Sequence, residues 1–328
     1  VKFLLLALSV WISVAFVPSS AFAQTPVRVA VLKFGTVNWE LATIAHHGLD
    51  KANDVAMQVV PFASPSATRV ALLAGNADVI VSDWLFVSRQ RVAGRDFVFV
   101  PYSTAVGSLM VPADSAIKDL ADLVGKRVGV AGGPLDKNWL LLRGLARTQS
   151  DIDLQRDSEV VFGAPPLLAQ KAVQGELDAV LNYWHYSARL EAQGFRAVTS
   201  ARQAAAKLGA RGAVSAIGYV FSQAWAQANP ERAIGFIKAS RAAKKLLNES
   251  DPEWERLAVA GVIRDKGRAL TVLRDRFRQG IPERSINDEQ VDAALLFKAL
   301  AKLGGKKLVG PRSEMDAGTY WQHPALTR

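Results

Sequence analysis

The phrase Leu73-Ala74-Gly75-Asn76-Ala77-Asp78-Val79-Ile80-Val81-Ser82-Asp83-Trp84 returns one hundred positions later as Val173-Gln174-Gly175-Glu176-Leu177-Asp178-Ala179-Val180-Leu181-Asn182-Tyr183-Trp184. In each copy an apolar helix runs into Gly, which takes a left-handed cap without steric cost. A short buried strand follows, and Trp stands just past its C-terminal end. The echo extends upstream: Asn38-Trp39 matches Asn138-Trp139, and Pro65 matches Pro165, each behind a Val-Val pair (Val59-Val60, Val160-Val161). A repeat this long means two similar lobes rather than a solenoid. In open α/β sheets ligands bind beyond the carboxyl ends of the strands, so the repeated Trp positions border the expected site.

The rest of the composition is compatible with that plan. A chain of 328 residues that is 50% hydrophobic can fill two cores. Residues 1–23 read as a secretory signal: Lys2, an apolar run from Phe3 to Val17, Pro18, and an Ala21-Phe22-Ala23 cleavage site that leaves Gln24 first. The run is too short to span a bilayer comfortably. The absence of cysteine excludes disulfides, thiol catalysis, thiolate metal sites and a lipid-modified N-terminus. The expected location is the periplasm. The formal charge of +10 is spread over helices rather than clustered with aromatics, so no nucleic-acid partner is expected.

Along the chain, strands are expected at Val27–Leu32, Ala56–Val60, Asp78–Val81 and Phe97–Val100, with a helix over Asn38–Ala52 and another capped by Ser64 with Pro65 in its first turn. Extended segments at Thr104–Val111 and Ala213–Phe221 should cross between the lobes. The divisions are residues 24–106 for the first part of lobe one, 107–215 for lobe two, 216–303 for helices returning to lobe one, and 304–328 for a loose tail. His46 and His47 are neighbours on one helix and do not share a face, so they make a poor metal pair. The turn Gly132-Gly133-Pro134 lacks the spacing of a phosphate-binding loop.

These features resemble the periplasmic solute-binding components of ABC importers, and within them the nitrate/sulfonate/taurine and thiamine-precursor group. The resembling residues are the signal segment, Arg28–Leu32, the phrase Leu72–Asp78, the phrase from Asp119-Leu120 to Gly125-Lys126-Arg127-Val128-Gly129-Val130, and Gly175–Ala179. The resemblance implies an α/β fold of two lobes with two hinge crossings and a helical C-terminus packed on lobe one. It also implies a monomer that closes on a small molecule and delivers it to a membrane permease and its ATPase. Family ligand positions fall here on Phe34, Asn38 and Trp39; Ser64, Ser66 and Thr68; Ser82, Asp83 and Trp84; Gly133, Asp136 and Trp139; Pro165; and Asn182 and Trp184.

Four Trp populate these loops, while Lys33, Arg69 and Lys137 are the nearest bases. Trp offers flat apolar area and one N–H, suited to a ring or a methylated cation. The expectation is therefore a small organic solute, aromatic or nitrogen-containing, gripped by two Trp from each lobe; a sulfonate or taurine-like anion is the alternative. No cofactor or metal is expected. No G-x-S-x-G elbow or H-E-x-x-H motif is present, which argues against an enzyme, with Asp83 and Asp136 the first suspects for carboxylate chemistry. A sensing domain would use the same cleft.

Overall fold

The structure is a computed structural model and describes residues 25–324. The expected signal segment and its cleavage site lie outside the described residues. The first unit runs β1 (Val27–Leu32), α1 (Val37–His47), β2 (Met57–Phe62), α2 (Pro65–Leu73), β3 (Val79–Ser82), α3 (Trp84–Val92) and β4 (Phe97–Ser103). The second runs β5 (Ser108–Pro112), β6 (Arg127–Ala131), α4 (Lys137–Ser150), α5 (Leu154–Asp157), β7 (Glu159–Gly163), α6 (Pro165–Val173), β8 (Ala179–Asn182), α7 (Trp184–Ala192), β9 (Phe195–Ser200) and α8 (Ala201–Lys207). The chain then returns through β10 (Ile217–Ser222) to α9 (Gln223–Ala228), α10 (Pro230–Glu249), α11 (Asp251–Val259), α12 (Arg268–Arg278) and α13 (Ile286–Val309).

Two five-stranded sheets result, in the orders β2-β1-β3-β10-β4 and β7-β6-β8-β5-β9. They are built alike. In each, three strands are parallel and a strand arriving from the other lobe is inserted antiparallel: β10 beside β3, and β5 beside β8. The interior strands β1, β3, β6 and β8 are apolar because helices cover both faces. Arg28 interrupts β1 because its guanidinium and its backbone N–H both bind the Asp78 carboxylate, at 2.7–3.1 Å. Arg127 and Asp178 repeat the arrangement in the second sheet.

Gly75 and Gly175 hold φ of +72° and +74°, the left-handed turn between helix and strand that both copies of the phrase require. The first helix is shorter than its apolar pattern, since Gly48 at φ +61° ends it and a 3₁₀ turn over Lys51–Asn53 follows. The C-terminal helices pack on the first lobe, α10 against α1, and reach the second, α12 against α7 and α13 against α4. The expected loose tail is a correction. Past a kink at Gly305, φ +59°, the chain remains helical to Val309, and Tyr320 and Trp321 are buried, with Phe99 donating to Thr319 and accepting from Trp321 along the backbone. Aromatic packing on Phe99 and Phe221 holds this segment on the outer strand.

Candidate functional site

Beyond the carboxyl ends of the strands the two lobes touch: Lys137 after β6 reaches Asp83 after β3, and Trp39 after β1 meets Trp184 after β8. On the first lobe, Ser64 caps α2 by accepting from Ala67 N–H at 3.3 Å and lies 2.9 Å from the Ser66 hydroxyl. Arg69, one turn into α2, donates to Ser82 Oγ at 3.2 Å and to Asp83 Oδ2 at 3.3 Å. Asp83 caps α3 with its other oxygen, accepting from Phe86 N–H at 2.8 Å. From the second lobe, the Lys137 ammonium reaches across to within 3.5 Å of Asp83 Oδ2 and donates to the Ala216 carbonyl at 3.2 Å.

Beside Lys137, Asp136 caps α4 through Asn138 N–H and Trp139 N–H. Gly132 holds φ +97°, which strains any other residue, and a Cβ there would be tight, 3.2 Å from the Tyr183 hydroxyl and 3.3 Å from Asp136 Oδ2. Glycine thus lets Tyr183 and Asp136 close over the turn. The charges are graded across the junction. Burial pushes Asp83 up, but Lys137 and Arg69 outweigh it and hold the carboxyl below its ordinary value. Asp136 is raised, by burial first, with the Asp83 charge adding to it. Burial and Asp136 together raise the Tyr183 phenol. A void of about 50 Å³ lies at the junction beside Trp84, Lys137 and Ser215. A drug-sized ligand needs roughly 300 Å³ or more, so this void is too small to hold one.

The other residues expected to touch ligand differ in their surroundings, and three of them make bonds within their own lobe. Asn38 clamps the loop after β1, donating to the Leu32, Lys33 and Gly35 carbonyls, and Phe34 stands exposed at the loop's tip. Thr68 is buried and turned to the Pro65 carbonyl at 2.9 Å. Asn182, 1% exposed, ties the end of β8 to the Pro165 carbonyl at 2.9 Å and accepts from Tyr183 N–H. Pro165 opens α6, and Gly133 has open space around it.

The largest correction concerns the indoles. Trp84 is 3% exposed, donates to the Ser215 carbonyl at 3.0 Å and packs on Phe297. Trp139 is wholly buried in the second lobe and donates to Gln155. Trp39 is buried against Trp254 and Phe277. Trp184 alone of the four is half-buried. The expected sandwich of two Trp from each lobe is therefore not what these rings form. The groups that do converge are Ser82 and Asp83 with Asp136, joined by Arg69, Lys137 and Tyr183, while Ser64 and Ser66 bond each other at the start of α2. Arg69 was legible as the base one turn after the Ser64 cap; Tyr183 carried no signal beyond its place in the loop after β8.

Among the described residues no group of three or more His, Asp or Glu is placed to hold a metal ion. No helix among them is long and apolar enough to cross a membrane.

Residues 40–253 match the family model described as NMT1/THI5 like. No curated protein is a significant match in sequence. Among solved structures, the periplasmic aliphatic sulphonate binding protein SsuA from Escherichia coli is similar at 20% identity and a TM-score of 0.69, with 88% of this chain and 94% of that one covered. The alkanesulfonate-binding protein SsuA from Xanthomonas axonopodis pv. citri, bound to MOPS, is similar at 20% identity and a TM-score of 0.64, over 91% of this chain and 99% of that one. An ABC transporter structure from Parabacteroides distasonis gives 15% identity and a TM-score of 0.68, over 91% and 99%. At these identities the likeness is one of fold.

Proposed function

The chain belongs to the NMT1/THI5-like family, and from that premise we propose that it is the periplasmic solute-binding component of an ABC-type importer. It captures a small organic solute between its lobes and hands it to a membrane permease as a monomer. The observation that carries this reading is the Lys137–Asp83 contact, 3.5 Å long, between the carboxyl-end loops of two matching sheets. A ligand that enters there touches both lobes, so it binds the closed arrangement preferentially and can shift the population toward it.

The chemistry of the junction favours a solute with an anionic head, a sulfonate or carboxylate, over the neutral ring expected from the Trp count. Arg69 and Lys137 both turn toward the junction, beside the Ser64 and Ser66 hydroxyls at the start of α2, whose backbone N–H groups favour negative charge. The two similar sulfonate-binding structures support the same head group. An incoming anion would replace Asp83 as the partner of Lys137.

Calorimetric titration of the mature protein with alkanesulfonates, small carboxylates and neutral heteroaromatics tests this. An alkanesulfonate or carboxylate should bind, be recovered unchanged after denaturation, and bind at least tenfold more weakly to Lys137→Gln. Recovery of a converted product would instead indicate an enzyme. Tight binding of a neutral ring, indifferent to Lys137→Gln, would overturn the anionic reading.

A further inference from the structure

The end of α13 and the segment after it carry a run of positive charge that the fold does not neutralise. From Lys302 to Arg312 the chain holds four cations, Lys302, Lys306, Lys307 and Arg312, and no acid. All four are exposed. Lys302, Lys306 and Lys307 have no ion pair or side-chain hydrogen bond among the described residues. Arg312 acts on the Asp316 carboxylate through its charge, but that carboxylate is bonded to Arg91 at 2.7 Å. Glu314, the first acid beyond the run, is paired with Lys298 at 3.0 Å.

The fold adds to this run instead of diluting it. Gly305 kinks the helix, and past the kink the neighbours Lys306 and Lys307 both reach solvent. Gly144 packs so closely on Leu303 that a Cβ there would lie 2.8 Å from it, which sets α4 alongside. Arg147, nearly one turn further along α4, is exposed and lies 3.8 Å from Asp153, a carboxylate that Arg143 already holds at 3.0 Å. Upstream on α13, Val291 and Leu295 are about half exposed. With Lys298 and Lys302 they follow a helical spacing of four, three and four, so they share one face over about 16 Å of helix. Asp288, in the first turn of the helix, is bonded to the Ser285 hydroxyl. A surface that only faces water normally mixes both signs of charge. This one runs from an apolar stripe into unmatched cations.

We propose that this face of α13 docks on an anionic lipid surface. The cations lie against the phosphate headgroups, and Val291 and Leu295 rest at their boundary with the acyl chains. Three of the four unmatched cations are Lys, a compact point charge suited to a diffuse field of headgroups. An acidic protein surface with fixed carboxylates is better met by the two-pronged guanidinium of Arg. Such docking holds the protein beside the membrane, whatever solute the cleft takes.

Co-sedimentation of the mature protein with vesicles tests this, using equal parts phosphatidylglycerol and phosphatidylcholine against phosphatidylcholine alone. The parent should bind the anionic vesicles and not the neutral ones, and high salt should release it by screening the charges. Each basic side chain at such a surface strengthens binding roughly fivefold. The combined variant Lys302→Gln, Lys306→Gln, Lys307→Gln, Arg312→Gln should therefore bind roughly thirtyfold more weakly or worse. All four side chains are exposed, so it should fold like the parent, which circular dichroism checks. A control variant, Arg264→Gln, Lys266→Gln, Arg268→Gln, removes three exposed cations from the loop between α11 and α12 and should bind nearly as the parent does. Absence of binding by the parent, equal binding to neutral vesicles, or equal losses in the two variants would overturn the proposal. Tighter capture by polyglutamate than by anionic vesicles, at equal charge, would assign the face to an acidic protein and overturn it too. The assay contains no solute, so its outcome is independent of what the cleft binds.

Discussion

Trp39 of the first lobe meets Trp184 of the second edge to face, with ring centres 5.9 Å apart and planes at 86°. The contact lies inside an apolar cluster with Trp254 and Phe277 from α11 and α12. Two bidentate ion pairs flank it: Arg189 to Asp265 at 2.8 and 2.9 Å, and Arg276 to Glu191 at 2.9 and 2.6 Å. The lobes are thus connected by the β4–β5 and β10 crossings and also by the C-terminal helices, which grip α7. A hinge motion that opens the junction must either part this contact or carry α12 along with α7.

The first prediction follows from that choice. An edge-to-face aromatic pair is worth about 1 kcal/mol beyond its buried area, and an exposed ion pair less. Trp184→Ala with Arg276→Gln should shift the open–closed balance toward open by roughly tenfold, since 1.4 kcal/mol is a factor of ten. Small-angle scattering of the ligand-free double variant should show a larger radius of gyration than the parent. An unchanged radius would mean that α12 travels with the second lobe and the grip is no latch.

The second prediction concerns pH and the returning segment. Glu289 on α13 accepts from Ser215 N–H and Ser215 Oγ, each at 3.1 Å, and from the Tyr320 hydroxyl at 3.2 Å. Burial raises its carboxyl to about 6, against the three hydrogen bonds that favour the charge. A folded-state value above the unfolded one means the folded chain holds the proton more tightly. The associated stability is complete below about pH 4.5 and is lost as pH rises through about 6, by roughly 2 kcal/mol in total. Chemical denaturation at pH 5 and 7.5 should show this component in the parent and not in Glu289→Gln. Equal pH dependence in both proteins would refute it.

The repeat made much of this architecture readable, and its failures have a common cause. Gly75 and Gly175, the strands that follow them, and the Ser64 cap depend on neighbours within a few residues, and those neighbours are in the sequence. The indoles depend on distant partners. Trp84 is buried because Phe297 and the Ser215 carbonyl arrive from more than 130 positions away. Trp39 is buried because α11 and α12 fold back over it. A Trp just past a strand reads the same whether it faces a ligand or a helix added later in the chain. Tyr320 and Trp321 were hidden for the same reason, since polar and Gly-rich flanks say nothing of a groove beside Phe99. The Asp of the Gly-x-x-Asp signal belongs to the scaffold, and its meaning was missed because its partners, Arg28 and Arg127, lie about fifty residues upstream.

That pairing supplies the third prediction. Asp78 is mostly buried, its side chain 8% exposed, and it receives three bonds from Arg28; Asp178 makes the same contacts with Arg127 but is 32% exposed. Charge-assisted hydrogen bonds lose much of their value where solvent competes. Asp78→Ala should therefore cost about 1–2 kcal/mol of stability, and Asp178→Ala distinctly less, read as shifts in denaturation midpoint at constant slope. Equal losses would show that the two lobes do not weight their matching pairs by burial.

The last prediction isolates the buried charge pair between α1 and α10. Glu40, with no exposed surface, is paired with Lys244 and accepts from the Tyr219 hydroxyl at 2.6 Å. The ammonium lies 3.8 Å from the centre of the Tyr102 ring. Burial pulls Lys244 below the ordinary lysine value, with Glu40 opposing it. Such a pair resists losing one member far more than losing both, because a lone buried charge has nowhere to be solvated. Lys244→Met should destabilise the fold by about 3 kcal/mol or more. Glu40→Gln combined with Lys244→Met should recover most of that loss, since Gln still accepts from Tyr219 and leaves no charge behind. A double-mutant cycle by chemical denaturation measures the coupling. If the two single losses simply add, the pair is not the unit that holds α1 to α10.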